Sequence, residues 1–192
     1  MTPGHAGDMR RNIEIKARIE TVETMTARVA AIADHGPIEL LQDDVFFTCA
    51  CGRLKLRTLS ASEGELIFYQ RADEAGPKES SFVIAATSAP AALREALARA
   101  YGCIGRVRKR RTLYLVGRTR VHLDRVDQLG DFVELEVVLS EGESSQAGMA
   151  EARHLMATLG IAPSQLVEGA YVDLLADRHK GGYVHGHDGR TA

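Results

Sequence analysis

The chain has 192 residues, of which 45% are hydrophobic and 26% are charged, and its formal net charge is −2. This size and composition are typical of one globular domain with a sizeable core and exclude an intrinsically disordered chain. The nearly balanced charge excludes a general attraction to polyanions, so any anion site must be a local concentration of basic residues. No apolar run approaches the roughly 18–20 residues of a membrane-spanning helix.

The two ends of the chain are predicted to lie outside the folded domain. Residues 1–10 look like a flexible leader without the apolar segment of a signal peptide, and the Gly- and His-rich residues 178–192 are typical of a disordered tail. Residues 11–177 are expected to form a single domain. The three cysteines, an odd number without a second metal-ligand pair, indicate reduced thiols and a cytoplasmic location.

The first part of the domain predicts five strands and two helices. Polar and apolar residues alternate without a break over 12–19, which predicts a strand. Apolar residues at helical spacing follow from Val22 to Ile32, and Gly36 and Pro37 predict the end of that helix. Further strands are expected at 38–47, 53–57, 65–71 and 80–85, followed by a helix at 90–101.

The second part predicts three strands in close succession and a closing pair of helices. The strands are expected at 104–116, 118–126 and 131–139, and the helices at 144–159 and 164–176, with Ser164 as an N-cap. Short links favour antiparallel pairing. The predicted fold class is therefore α+β, with a closed eight-stranded antiparallel β-barrel that forms a tunnel with a charged interior, and with helices packed outside.

Charged residues share one face of several predicted strands. Arg53, Lys55 and Arg57 alternate with leucines, and Glu134 and Glu136 alternate with apolar residues. A solvated sheet face is the usual explanation for such a pattern, but it requires no sorting of charge sign by strand. The alternative is that these faces line the inside of the barrel, where eight strands leave room for one small ligand.

The proposed inner face holds nine basic and five acidic residues, an excess of four positive charges. They are Lys16, Arg18, Arg53, Lys55, Arg57, Arg71, Lys109, Arg111 and Arg120, against Glu14, Asp44, Asp124, Glu134 and Glu136. Because buried charges must be paired or coordinated, the matching ligand is a compact polyanion. Clustered carboxylates suit Mg²⁺ or Mn²⁺, and a triphosphate with a bound divalent cation meets both demands.

The segment NIEIKAR resembles the Glu-x-Glu-x-Lys signature of the CYTH superfamily of triphosphate tunnel enzymes, which includes class IV adenylyl cyclases and thiamine triphosphatases. The resemblance continues in order through QDDVFF, GRLKLR, LIFYQR, VRKRRTLYL, VHLDRVDQLGDFVELEV and LVEGAYVDLL. It covers about residues 11–177 and is closest to the cyclase branch. The family fold is an eight-stranded antiparallel tunnel, in agreement with the alternation of the strands.

The resemblance implies a role for each matching position. Glu14, Glu134 and Glu136 match metal-binding carboxylates, while Lys16, the signature lysine, and Asp124 are the candidate catalytic residues. Asn12 replaces the first signature glutamate, so it can offer an amide oxygen but no charge to a cation, and Asp44 is the candidate to compensate. The expected phosphate ligands are Lys16, Arg18, Arg53, Lys55, Arg57, Arg71, Lys109, Arg111 and Arg120.

Two activities and one binding function remain open at this point. Attack of the ribose 3′-OH of ATP would give cyclic AMP and pyrophosphate, and the resemblance narrowly favours this reaction. Attack of water would hydrolyse inorganic, thiamine or nucleoside triphosphate. A non-catalytic polyanion-binding module would need no acidic pair. Neither a nucleic acid nor a membrane is an expected partner, and the sequence is compatible with a homodimer. His122 is expected to line the cavity as a hydrogen-bonded residue; the alternative is a role in proton transfer.

Overall fold

The computed structural model describes residues 9–181, which form eight β-strands and four α-helices. The strands are β1 (Arg10–Arg18), β2 (His35–Phe47), β3 (Arg53–Thr58), β4 (Gly64–Arg71), β5 (Lys78–Thr87), β6 (Cys103–Val116), β7 (Thr119–Val126) and β8 (Gly130–Val138). The helices are α1 (Val22–Ala30), α2 (Pro90–Tyr101), α3 (Ser145–Leu159) and α4 (Tyr171–Gly181).

The eight strands form one antiparallel sheet that closes into a ring. The order around the ring is β1-β5-β4-β3-β2-β6-β7-β8, and β8 pairs with β1 to complete it. The first and last strands of the chain are therefore neighbours. The predicted eight-stranded antiparallel sheet and the α+β class are confirmed.

The core lies between the apolar faces of the strands and the helices. The largest cluster joins Ile15, Leu123 and Leu135 from three strands to Val29 of α1 and Leu159 of α3. A second cluster packs α2 against β2 and β3. Successive side chains of a strand point to opposite faces, so the charged residues between these apolar positions face away from the core helices.

The last helix starts later than the sequence pattern predicts. Helix α4 begins at Tyr171 rather than Ser164, so the predicted helix over 164–176 is wrong in its first part. Leu166 instead forms a β-bridge with Ala17, and Gly169 adopts a φ of 72° that favours glycine. These contacts with the first strand are not visible in the local pattern of the sequence, and they bring Tyr171 to one end of the ring.

Other boundaries differ by a few residues. Strand β2 begins at His35 and passes through Gly36 and Pro37, with a register shift there, so this pair lies in a strand instead of ending the first helix. Helix α4 runs to Gly181 and includes residues 178–181, where the tail was expected to begin. The rest of the predicted leader and tail, residues 1–8 and 182–192, lies outside the described residues.

Two predictions from the composition concern the state of the cysteines and membrane-spanning helices. Cys49, Cys51 and Cys103 are free cysteines, as expected for reduced thiols. Over residues 9–181, none of the helices combines the length and the apolar character that crossing a membrane requires. The single domain, the homodimer and the cytoplasmic location stay predictions.

Candidate active site

Side chains from all eight strands line one cavity of about 290 Å³ inside the ring. This volume is at the lower end of the range of roughly 300–1,000 Å³ for small-molecule sites. Seven basic and four acidic side chains line the cavity, an excess of three positive charges. They are Lys16, Lys55, Arg57, Arg71, Lys109, Arg111 and Arg120, with Glu14, Asp44, Glu134 and Glu136. Twelve of the predicted site residues are brought together here, counting Asn12.

Asp44 pairs with two basic residues of the neighbouring strand β3. Lys55 Nζ and Arg57 Nε each donate a hydrogen bond of 2.8 Å to its carboxylate. Burial opposes ionisation of Asp44, but Lys55 and Arg57 hold its pKa well below the ordinary value, while burial lowers the pKa of Lys55 to about 8. Asp44 is therefore a partner of candidate phosphate ligands, and it does not belong to the carboxylate cluster that would hold a metal.

Asp124 lies behind the cavity wall and is fully buried. Its carboxylate accepts hydrogen bonds from Lys109 at 2.8 Å, from Arg111 at 2.6 Å and from the Tyr171 hydroxyl at 3.1 Å. Burial favours the neutral acid, but Arg111 and Lys109 lower its pKa to about 2. Asp124 thus orients two bases that do face the cavity. This position gives no contact with a ligand and so does not support the predicted catalytic role.

Three side chains form a cluster with the composition of a metal site. One ligand atom each of His122, Glu134 and Glu136 lies within 4.8 Å of the others. Burial and Arg111 lower the pKa of His122 to about 4, so its ring is neutral at pH 7. Neighbouring positive charge holds the pKa of both glutamates below the ordinary value despite burial. A neutral imidazole beside two carboxylates fits a divalent cation.

His122 is not among the metal ligands predicted from the sequence, which assign this role to Glu14 together with the two β8 glutamates. Glu14 lies directly opposite Glu136 in the β1–β8 pair but forms an ion pair with Arg71. Asn12 is buried, and its amide oxygen has no hydrogen-bond partner within residues 9–181. It stays a candidate ligand of the kind predicted.

Lys16 connects the acidic cluster to Gly169 and Tyr171 at the start of α4. Its ammonium lies 3.3 Å from a Glu134 oxygen and 4.0 Å from the centre of the Tyr171 ring. It also donates a hydrogen bond of 3.2 Å to the Gly169 carbonyl, which Arg71 contacts at 2.6 Å. The late start of α4 therefore supplies two groups, Gly169 and Tyr171, that position the basic residues.

Two predicted phosphate ligands do not line the cavity. Arg18 donates to the Leu129 carbonyl at 2.7 Å, and its guanidinium lies over the Phe132 ring. Arg53 binds Asp73 and Asp173 at 2.7 and 2.6 Å. Both arginines occupy strand ends, where loops and α4 provide partners outside the cavity. Alternation along a strand identifies the correct face but does not show where the cavity ends.

The sequence predicts no role for Lys78, which is buried but not part of the cavity lining, or for the apolar side chains that do line the cavity. Lys78 is buried on β5 opposite Glu14, and burial and Arg71 lower its pKa to about 8. It lies before residue 80, where the predicted strand begins, so the strand starts earlier than the sequence predicts. The apolar lining includes Leu40, Ile67, Phe82 and Ile84, two of which, Ile67 and Ile84, are direct cross-strand neighbours.

The comparisons with known proteins agree with this geometry. The family model of the CYTH domain matches residues 10–171. The chain belongs to the CYTH family. This confirms the resemblance inferred from the motifs. A curated relative of this CYTH protein is the adenylate cyclase CyaB of Aeromonas hydrophila, which is 28% identical over 170 residues, or 84% of this chain and 87% of that one.

Two solved structures show the same fold. The PH1012 protein of Pyrococcus horikoshii OT3 has a TM-score of 0.75 at 22% identity, over 85% of this CYTH chain and 98% of that one. The Hippeastrum protein HpAC1, described with a dominant triphosphatase activity, has a TM-score of 0.61 at 16% identity, over 88% and 96%. One curated relative is therefore described as an adenylate cyclase, and one protein of the same fold is described with a triphosphatase activity.

Proposed function

We propose that this CYTH protein is an enzyme that binds a triphosphate in the cavity and acts on it with a divalent cation, Mg²⁺ or Mn²⁺. The observation that carries the proposal is the presence of seven basic side chains and a carboxylate–imidazole cluster in one cavity. A charge-assisted hydrogen bond contributes about 1.5–3 kcal/mol. Several such contacts provide the affinity that a triphosphate requires.

The basic residues would hold the phosphate chain from several sides. Lys55 and Arg57 project from β3, Lys109 and Arg111 from β6, and Arg71 from β4. Because these strands are rigidly paired, the side chains can fix the orientation of the reacting groups and stabilise charge on the phosphates. The same bases are paired with carboxylates, and phosphate oxygens would bind them in addition to these partners or in competition with them.

The cation would be held mainly by Glu134 and Glu136, with Glu14 facing them from β1. When bound, the cation neutralises charge on the phosphate oxygens during transfer. Lys16 adjoins Glu134 and is placed to contact a phosphate next to the cation. Arg120 lies 3.7 Å from Glu136 at a more exposed part of the lining and is a further candidate phosphate ligand.

We propose ATP as the substrate and cyclic AMP and pyrophosphate as the products. The 3′-OH would attack the α-phosphorus while the bond from that phosphorus to the bridging oxygen breaks. Similarity to the CyaB adenylate cyclase supports this choice. The apolar lining of Leu40, Ile67, Phe82 and Ile84 supports it too, since a nucleobase can cover these side chains and inorganic triphosphate cannot.

The test is incubation of the purified protein with ATP, inorganic triphosphate or thiamine triphosphate, each with Mg²⁺ or Mn²⁺, and chromatography of the products. Cyclic AMP with pyrophosphate supports the proposal. Orthophosphate would instead assign hydrolysis, and the absence of any product would refute an enzymatic function. Glu136→Gln should abolish turnover, whereas Glu39→Gln, on an exposed residue of β2, should not.

A further inference from the structure

His122 is a buried cavity residue with an unpaired nitrogen. It lies on β7 directly opposite Glu134 of β8, and only 4% of its surface is exposed. Its Nδ1 atom has no hydrogen-bond partner in the described part of the chain. Carboxylate oxygens of Glu136 and Glu134 lie 3.5 and 4.0 Å from this atom. A buried polar atom without a partner is costly, so Nδ1 is placed to bind a ligand beside the two carboxylates.

A cation between the three side chains would satisfy all of them. Two atoms bound to one cation at about 2.2 Å can lie at most about 4.4 Å apart. Both histidine–carboxylate separations are shorter than this limit, and the three ligand atoms as a set lie within 4.8 Å, so a small side-chain movement would bring all three to one ion. A neutral imidazole has one unprotonated nitrogen that can act as a ligand. With the ring proton on Nε2, Nδ1 would offer its lone pair to the cation, and the two carboxylates would bind the same ion.

We propose that His122 Nδ1 is a direct ligand of the divalent cation, beside Glu134 and Glu136, and that this nitrogen makes the cavity bind Mn²⁺ more tightly than Mg²⁺. The inference rests on the proposed function, because the cation is the one that would act on the triphosphate. Mg²⁺ is held almost entirely by oxygen, whereas transition-metal ions also accept imidazole nitrogen. The histidine therefore discriminates between two ions that the carboxylates alone would treat similarly.

Bound phosphate should affect the availability of this site. Glu134 also forms ion pairs with Lys16 and Arg111, and these bases compete with a cation for its carboxylate. A phosphate group that draws the two bases away would leave Glu134 free to bind the metal. The measurement is therefore made with Mn²⁺ alone and with Mn²⁺ plus inorganic triphosphate.

The experiment is pulsed electron paramagnetic resonance of the full chain with one equivalent of Mn²⁺. We expect a ¹⁴N coupling in the wild type that changes to ¹⁵N when the protein is grown on ¹⁵N-histidine. The coupling should be lost in His122→Gln and retained in the matched control His154→Gln, on an exposed residue of α3. By calorimetry, His122→Gln should weaken Mn²⁺ binding about tenfold or more and Mg²⁺ binding less than about threefold.

Two results would overturn the inference: no nitrogen coupling in the wild type under either condition, or the same coupling in folded His122→Gln. Circular dichroism establishes whether the variant is folded, and His122→Asn provides a second variant. The readout needs no turnover, so it can be distinguished from a failure of the proposed activity. A protein that shows the coupling but yields no product supports the ligand role and refutes the proposed reaction.

Discussion

Removal of the Asp124 carboxylate is expected to destabilise the protein strongly. The side chain is fully buried and accepts hydrogen bonds from Lys109, Arg111 and Tyr171. Asp124→Ala would leave two buried positive charges without their shared partner, and breaking a buried ion pair in this way costs about 3–5 kcal/mol. Asp124→Asn keeps the volume but loses the charge, so it tests the electrostatic part of the effect without a cavity.

Asp43, the residue before Asp44 on β2, offers a matched control. Its carboxylate also binds an arginine, with Arg106 Nε at 2.6 Å, but 33% of its side chain is exposed. Exposed ion pairs contribute only about 0–1 kcal/mol. The difference in the free energy of unfolding between Asp124→Ala and Asp43→Ala should therefore be about 2–5 kcal/mol.

Urea unfolding of the two variants and the wild type at pH 7 measures this difference. The pKa of Asp124 is lowered in the folded state to about 2, so its contribution is fully present above the unfolded value of about 3.9 and is lost as the pH falls through about 2. The wild type and Asp124→Asn should therefore converge in stability at acid pH. Equal losses of stability for Asp124→Ala and Asp43→Ala at pH 7 would refute the reasoning, because Lys109 and Arg111 would then have found other partners.

Three further predictions concern the cavity. Lys55→Ala should raise the KM for the triphosphate substrate about tenfold or more, because a charge-assisted contact with phosphate is lost. The fold should be retained, since Asp44 still has Arg57 as an ion-pair partner. Arg108→Ala, on an exposed residue that faces outward, is the control and should leave the KM unchanged; the same result for Lys55→Ala would place Lys55 outside the site. Since the pKa of Lys55 is about 8, kcat/KM should fall as the pH rises through 8 and the free enzyme loses this positive charge. Lys55→Arg should abolish the fall, because arginine stays protonated. A fall that persists in Lys55→Arg would show that another group titrates. Inorganic triphosphate at about 100 times its Kd should raise the free energy of unfolding by about 2.7 kcal/mol, and a thermal shift assay that detects no change would argue against binding in the cavity.

The sequence predicted the strands and their charged face because both depend on local alternation. Arg53, Lys55 and Arg57 share a face whatever the rest of the chain does, and so do Glu134 and Glu136. Closure of the sheet then determines what this face surrounds. It brings Lys55 and Glu134 to the same cavity although they come from distant parts of the chain.

What the sequence did not predict depends on contacts between distant segments. Arg18 and Arg53 have the correct parity, but they lie at strand ends where a carbonyl group and two aspartates bind them. Asp124 also has the correct parity, but it does not line the cavity and instead binds Lys109 and Arg111, which do. Tyr171 reaches the site because residues before it bridge to β1. None of these positions follows from helical or strand periodicity.

The order of strands around the ring places three acidic residues of the cavity on one wall. Glu14 on β1 adjoins Glu134 and Glu136 on β8, so the candidate metal-binding wall forms where the first and last strands meet. The phosphate-binding candidates are concentrated on β4, β3 and β6, in the remaining arc of the ring. A triphosphate in the cavity would therefore meet most of its basic partners on the other strands, while Lys16 and Arg120 would contact it beside the cation. Because β1 and β8 pair only when the ring closes, a metal site in this wall depends on completion of the fold. By contrast, Lys55, Arg57 and Arg71 lie on one hairpin, β3–β4, so local pairing alone brings these three bases together.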